Sequence, residues 1–351
     1  MASIAGDAAL DALFVPFATG AIPMPAGEAL FLGARAGAWL HAWPRAKFAC
    51  VQTSRPLADA LERAGARTVP ASGSPRCALV LALPPRQRDE SRALLAHALQ
   101  CALPGGLVVA SQPNNAGARS GEADLERLAG PLRSLSKHHC RVFWATASGD
   151  AIDGALAAEW LGLDRIRPIA GGRFVSRPGL FAWDRIDAAS ALLAAHLPDT
   201  LRGRVADLGA GYGYLACEIV RRCPGVVALD LYEAEQRALE PARINLGRAM
   251  RDAGREPAIE VLWHDVSAGL PRRYDAIVGN PPFHQGRADR PELGRAFIVA
   301  AAQALLPDGV LWLVANRHLA YEATLEAGFA EVRHAGVRDG FKVIEARRPR
   351  R

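Results

Sequence analysis

Asp207-Leu208-Gly209-Ala210-Gly211-Tyr212-Gly213 decides how this 351-residue chain is read. The run Arg204–Leu208 predicts a strand entering the stretch, and Tyr214–Arg222 predicts a helix leaving it. Glycines at alternate positions allow a tight turn between them and let a ligand come close to the backbone, chiefly at Gly209 and Gly211. Asp207 supplies a carboxylate where the strand ends.

Five further strands follow toward the C-terminus. Val226–Leu229 reads as a strand ended by Asp230, at the distance where an acid holds the hydroxyls of a ribose. Ile259–Trp263 leads to His264-Asp265, a second acid that could meet an adenine amine. Ala276–Val278 is a short apolar strand closed by Gly279. Phe297–Leu305 reads as a helix, Val310–Ala315 as a fifth strand, and Phe341–Ala346 as the strand that closes the sheet. Alternation of this kind predicts an α/β, doubly wound, Rossmann-like sheet with its ligand crevice at the strand ends. Pro241 falls inside the helix expected after Asp230, so that helix either starts late or kinks there.

Beyond Gly279 comes Asn280-Pro281-Pro282-Phe283-His284. Asn280 offers a carbonyl acceptor beside the crevice. Pro282 has no N–H, which leaves the carbonyl of Pro281 free to face a ligand. Phe283 adds a flat ring. Two acceptors beside an aromatic plate suit a planar group with an exocyclic amine: adenine N6, guanine N2 and a glutamine amide all qualify. An aryl amine becomes acidic only as it is alkylated, so no strong base is needed. His284 reads as a structural or RNA-contacting residue rather than a base.

The first half repeats the pattern without its chemistry. Phe31-Leu32-Gly33-Ala34-Arg35-Ala36-Gly37 echoes the glycine turn, Leu79–Pro85 echoes Ala276–Pro282, and Leu103–Gly106 echoes Leu306–Gly309, in the same order. Phe31 stands for Asp207, Leu83 for Asn280 and Arg86 for Phe283. Tandem domains follow, 1–160 degenerate and 161–351 catalytic, with the joint near residues 150–170.

Composition sets the outer bounds. Half the residues are hydrophobic and 22% are charged, a soluble globular balance. There is no basic leader and no apolar run of the roughly 18–20 residues a membrane span needs, so a cytoplasmic protein is expected. Six scattered cysteines show no metal spacing, and no metal is expected. The net charge is +6, carried almost wholly by Arg, which permits a nucleic-acid partner.

The set from Asp207 to Phe283 resembles class I S-adenosylmethionine-dependent methyltransferases. With the degenerate tandem half, Phe174-Val175-Ser176-Arg177, Gly340-Phe341-Lys342-Val343 and the Asn114, Gly117, Arg119 group, the chain is similar to the bacterial ribosomal RNA guanine-N2 methyltransferases of the small subunit methyltransferase C family. The segment Phe181–Asp184 departs from the family pattern. The resemblance implies S-adenosyl-L-methionine held by Asp207, Gly209, Gly211, Asp230, Asp265 and Asn280. It implies catalysis at Asn280, Pro281 and Phe283, on a guanine N2 of ribosomal RNA in the small subunit, by a monomer. Arg86, Arg119 and Lys137 in the first half, and Arg177, His284, Arg287 and Lys342 in the second, are the expected RNA contacts. A large-subunit RNA enzyme, a protein glutamine-N5 methyltransferase and a non-catalytic RNA-binding assembly factor are the competing readings.

Overall fold

Each half of the chain winds a seven-stranded sheet along the same path. The computed structural model describes residues 7–23, 27–43, 47–282, 284–285, 288–289 and 291–350, and it divides into the units Met1–Arg165 and Ile166–Arg351.

In the first unit the strands are β1 (Ala29–Leu32), β2 (Phe48–Val51), β3 (Arg67–Thr68), β4 (Cys77–Ala82), β5 (Ala102–Pro113), β6 (Arg133–Lys137) and β7 (Cys140–Thr146), in the order β3-β2-β1-β4-β5-β7-β6. The first five run parallel, and β7 and β6 complete the sheet antiparallel. Every residue of β1 and β2 is buried, as strands covered on both faces must be.

The second unit opens with a small hairpin, β8 (Arg167–Ile169) and β9 (Phe174–Ser176). Its sheet contains β10 (Arg202–Leu208), β11 (Gly225–Glu233), β12 (Ala258–Trp263) and β13 (Tyr274–Gly279). After a two-residue ladder of β14 (His284–Gln285) with β15 (Ala288–Asp289) come β16 (Leu305–Asn316), β17 (Phe329–Arg338) and β18 (Phe341–Pro349). The order is β12-β11-β10-β13-β16-β18-β17, strand for strand that of the first unit. Alternate side chains of one strand feed opposite cores. Val205, Leu229 and Val278 join Leu193, Leu215 and Leu246 on one face, while Ala206, Tyr232 and Ile277 join Ile298 and Leu325 on the other.

Two expectations need correction. The last strand does not close the sheet: β18 lies between β16 and the edge strand β17. The stretch Asp184–His196, which reads as a helix in the sequence, forms one only from Ala188, with Asp187 as its N-cap. The helix Leu239–Ala253 takes the late start, with Pro241 in its first turn, where a missing N–H costs nothing.

Strand register fixes which residues of the two units correspond. Leu32 lies opposite Ala82, and Leu208 opposite Gly279, so Phe31 takes the place of Asp207 and Leu83 that of Asn280. Phe31 meets Trp39 edge-on at 5.5 Å, and Trp39 in turn stacks on Phe14 at 5.7 Å and meets Phe48 at 4.9 Å. Rings thus pack where the second unit keeps a carboxylate. The carbonyl of Pro85 already accepts an N–H from Gln112 of its own unit, at 3.0 Å.

Candidate active site

The strand ends of the second unit bring acids and amides to one rim. Gly209 and Gly211 both adopt left-handed backbone, at φ 70° and 54°. A side chain on Gly211 would meet nothing within 4 Å, so its surface is open to a ligand. Beside this turn Asp207 is fully buried. Its Oδ2 accepts from Ala216 N at 3.2 Å, in the first turn of the helix Tyr214–Arg222, while its Oδ1 has no partner among the described residues. Burial pushes its carboxyl up to about 7, with the Ala216 N–H opposing and the Glu233 charge adding.

The acid on the second strand is not Asp230. β11 runs three residues past it, to Glu233. Asp230 lies mid-strand, 1% exposed, on the opposite face from Glu233. It accepts from Arg204 Nη1 and Arg272 Nη1, both at 3.1 Å, and from Tyr274 Oη at 2.8 Å. A carboxylate so engaged is a structural ion pair, and the acid that stands at the strand end, beside the glycine turn, is Glu233. Glu233 Oε2 accepts from Gly211 N at 2.7 Å and Oε1 from Glu235 N at 2.8 Å. Desolvation raises its pKa.

The first unit preserves the outline of this arrangement in neutral form. Register sets Val51 opposite Leu32 as Tyr232 is opposite Leu208, so Gln52 corresponds to Glu233. Gln52 Oε1 accepts from Ser54 N at 2.9 Å, and its Nε2 donates to Ala34 O at 2.7 Å. An amide has replaced the acid and bonds to the turn itself.

Asp265 follows β12 and caps a short helical turn, Oδ1 accepting from Ser267 N at 2.9 Å and Ser267 Oγ at 2.7 Å. Asn280 follows β13 and faces a cleft shared with Phe181, Asp187, Ser190, Gly209 and Tyr212. Among the described residues, its Oδ1 is buried without a partner. Pro281 is buried and Pro282 exposed. Phe283 and Arg287 lie outside the described residues, and His284 lies in β14 opposite Asp289.

Of the expected RNA contacts, Arg86, Arg119 and Lys137 are exposed. Arg119 borders a depression with Asn114, Ser120, Ser136 and Arg141. Lys137 ends β6 beside the His138-His139 turn. Lys342 is contradicted as an RNA contact. It is 3% exposed, and its Nζ donates to Leu319 O at 2.7 Å and Glu322 Oε1 at 2.6 Å, an internal pair. Arg177 is also drawn inward, its side chain 18% exposed and 3.7 Å from Glu240.

Sequence reasoning overlooked four residues: Glu233, Asp187, Ser190 and Asn245. Asp187 and Ser190 carry a readable signal, a capping residue three positions before another polar side chain at the start of an apolar helix. Asn245 is a buried polar residue on a helix face. It accepts from Val175 N and donates to Val175 O and Tyr212 O, each at 2.8 Å, and so ties β9 to the glycine turn.

An orphaned buried carboxylate oxygen, an open glycine floor and acids at the ends of three successive parallel strands suit a cofactor with amine and hydroxyl donors. Together with the Asn-Pro-Pro rim they define a class I methyltransferase that uses S-adenosylmethionine, carried on the second of two like units. The model of the family described as "Methyltransferase small domain" matches residues 171–345. A Pseudomonas paraeruginosa protein named ribosomal RNA small subunit methyltransferase C is 33% identical over 267 residues, covering 76% of this chain and 77% of that one. One of the same name from Psychromonas ingrahamii is 26% identical over 277 residues, covering 78% and 76%. The T. thermophilus 16S rRNA N2 G1207 methyltransferase (RsmC), solved in complex with AdoMet and guanosine, superposes with a TM-score of 0.79 at 27% identity, covering 97% of this chain and 92% of that one. The chain belongs to the ribosomal RNA small subunit methyltransferase C family.

Proposed function

We propose that this enzyme methylates the exocyclic N2 amine of a guanine in 16S ribosomal RNA, working as a single chain in the cytoplasm. The observation that carries the reading is the buried, unpartnered Oδ1 of Asn280 beside the glycine turn, in a chain superposing along 97% of its length on an enzyme named for 16S rRNA N2 methylation. Asp207, Glu233 and Asp265 hold the cofactor through its donors, with Gly209 and Gly211 as the floor. When bound, the cofactor supplies an already activated methyl group on sulfur. Asn280 Oδ1 and the Pro281 carbonyl accept the two N–H bonds of the guanine amine and turn its lone pair toward the incoming carbon. Nitrogen's lone pair forms the new bond to the methyl carbon as the carbon–sulfur bond breaks with its electron pair left on sulfur, and the nitrogen then gives up one proton, made acidic by the new bond, to water. Positioning therefore supplies much of the rate. Phe283 is assigned to stack on the extruded base, an interaction of about 1–3 kcal/mol that offsets unstacking. The first unit, through Arg86, Arg119 and Lys137, grips RNA away from the reacting base.

The purified chain should be incubated with methyl-labelled cofactor and small subunits, large subunits or naked 16S transcript, and the RNA digested to nucleosides. N2-methylguanosine in small-subunit RNA is the expected product. N6-methyladenosine, or label confined to protein or to large-subunit RNA, overturns the reading.

A further inference from the structure

Asn280 is held from behind. Its Nδ2 donates to Asp187 Oδ2 and to Ser190 Oγ, each at 2.9 Å. A side-chain amide has two N–H donors, and this pair of acceptors uses both. The same Asp187 oxygen accepts from Ser190 N at 2.8 Å, so it starts the helix Ala188–His196 and grips the amide at once. The remaining polar atom, Oδ1, is buried, has no partner among the described residues, and belongs to the same cleft as Gly209. Turning the amide over would set Oδ1 against the Asp187 carboxylate with no hydrogen between them, and would point two donors into the cleft.

We propose that Asp187 and Ser190 are positioning residues that lock the Asn280 amide with its carbonyl outward, so that the site accepts only a nucleophile arriving with N–H bonds to donate. The inference rests on the reading of the reaction as amine methylation. The amine becomes a stronger donor as it is alkylated, so the bond to Oδ1 strengthens toward the transition state. Loss of the clamp should therefore lower kcat rather than raise KM.

Ser190→Ala isolates the clamp, because the helix cap uses the Ser190 backbone and survives. Asp187→Ala removes clamp and cap together. Asp187→Asn keeps a capping oxygen that can serve both donors, and should restore most of what Asp187→Ala loses. The full-length variants should be compared for transfer to 16S transcript, for cofactor binding and for thermal unfolding. In parallel, hydrogen exchange of the Asn280 side-chain NH2 can be followed by 15N NMR, its signal assigned by disappearance in Asn280→Asp. Expected are a fall in kcat of about tenfold or more in Ser190→Ala, KM and cofactor affinity within about twofold of wild type, and Asn280 NH2 exchange faster by about tenfold. Folded Ser190→Ala and Asp187→Ala enzymes that keep kcat within twofold, or Asn280 protons that exchange equally fast in wild type and variants, overturn the clamp. If the wild-type chain transfers no methyl group to RNA, the proposed reaction fails, and the exchange measurement alone still decides the clamp.

Discussion

Asp207 is buried beside the glycine turn with one oxygen bonded to a helix N–H and the other, among the described residues, bonded to nothing. Its carboxyl, pushed up to about 7 by burial, holds a proton that the unfolded chain would have released nearer 4. The folded apo chain thus gains stability from this group in acid, and loses it as pH rises through about 7. Ligand donors reaching Oδ1 favour the ionised form, so cofactor binding near pH 6 should release protons. Affinity should fall by up to about tenfold per pH unit below 7. Calorimetry in two buffers of unlike ionisation heat measures the released proton, and Asp207→Asn should abolish it; heats independent of buffer would contradict this assignment. Asp230 matters to the fold and not to the ligand. Asp230→Ala should leave cofactor affinity unchanged and lower unfolding stability by about 1–3 kcal/mol, modest because both arginines are part-exposed, as read in denaturant titrations. The two acids look alike in Leu229-Asp230-Leu231-Tyr232-Glu233. An ion-paired core acid and a ligand-binding acid differ only in strand length and facing, and the apolar run through Asp230 gives no stop signal. Lys342 hides in the same way: a buried lysine announces itself only through Glu322, twenty positions upstream.

At the scale of elements, apolar runs bounded by glycine or proline are readable, and the turn Asp207–Gly213 with its flanking strand and helix forms as its composition demands. β17 is not readable. It is mostly exposed, with Glu331, Arg333, His334 and Arg338 along it, because an edge strand faces water and is protected from further pairing by charge. The joint made by Asn245 is equally invisible, since its partners are backbone atoms far away in the chain. Asn245→Ala would strand Val175 N, Val175 O and Tyr212 O in the core. A loss of about 2–4 kcal/mol is expected, given about 1–3 for each buried group left unsatisfied with partial relaxation. Because Tyr212 belongs to the glycine turn, cofactor affinity should fall with it. Chemical denaturation and equilibrium dialysis on the same variant measure both, and a destabilised chain with undiminished cofactor affinity would separate the joint from the site.

Across the whole molecule, three short sequence matches expand into two sheets with identical strand order. The repetition is legible because the chain reuses glycines at the same turns: Gly106 and Gly309 each leave only 2.9 Å between a would-be side chain and a neighbouring carbonyl. The silence of the first unit is legible in Phe31 and Leu83, but its neutral counterpart of Glu233, Gln52, emerges only from register. Division of labour predicts separable losses. Replacing Arg119 and Lys137 by alanine should weaken RNA binding and reduce the slope of log affinity against log salt by about 1 for each phosphate no longer neutralised, with cofactor affinity untouched. An unchanged slope would remove the first unit from RNA capture.

The rings around Trp39 also separate the two units thermodynamically. Where two units unfold separately, a ligand raises the melting temperature only of the one that binds it, by an amount that grows with the logarithm of its concentration over Kd. With Phe31 and its neighbours packed where a carboxylate would stand, the first unit is expected to gain no stability from the cofactor. Heating the chain in rising cofactor should move the transition of Ile166–Arg351 upward and leave that of Met1–Arg165 in place. Starvation for the cofactor would then expose the catalytic half to unfolding and proteolysis while its silent twin stays folded.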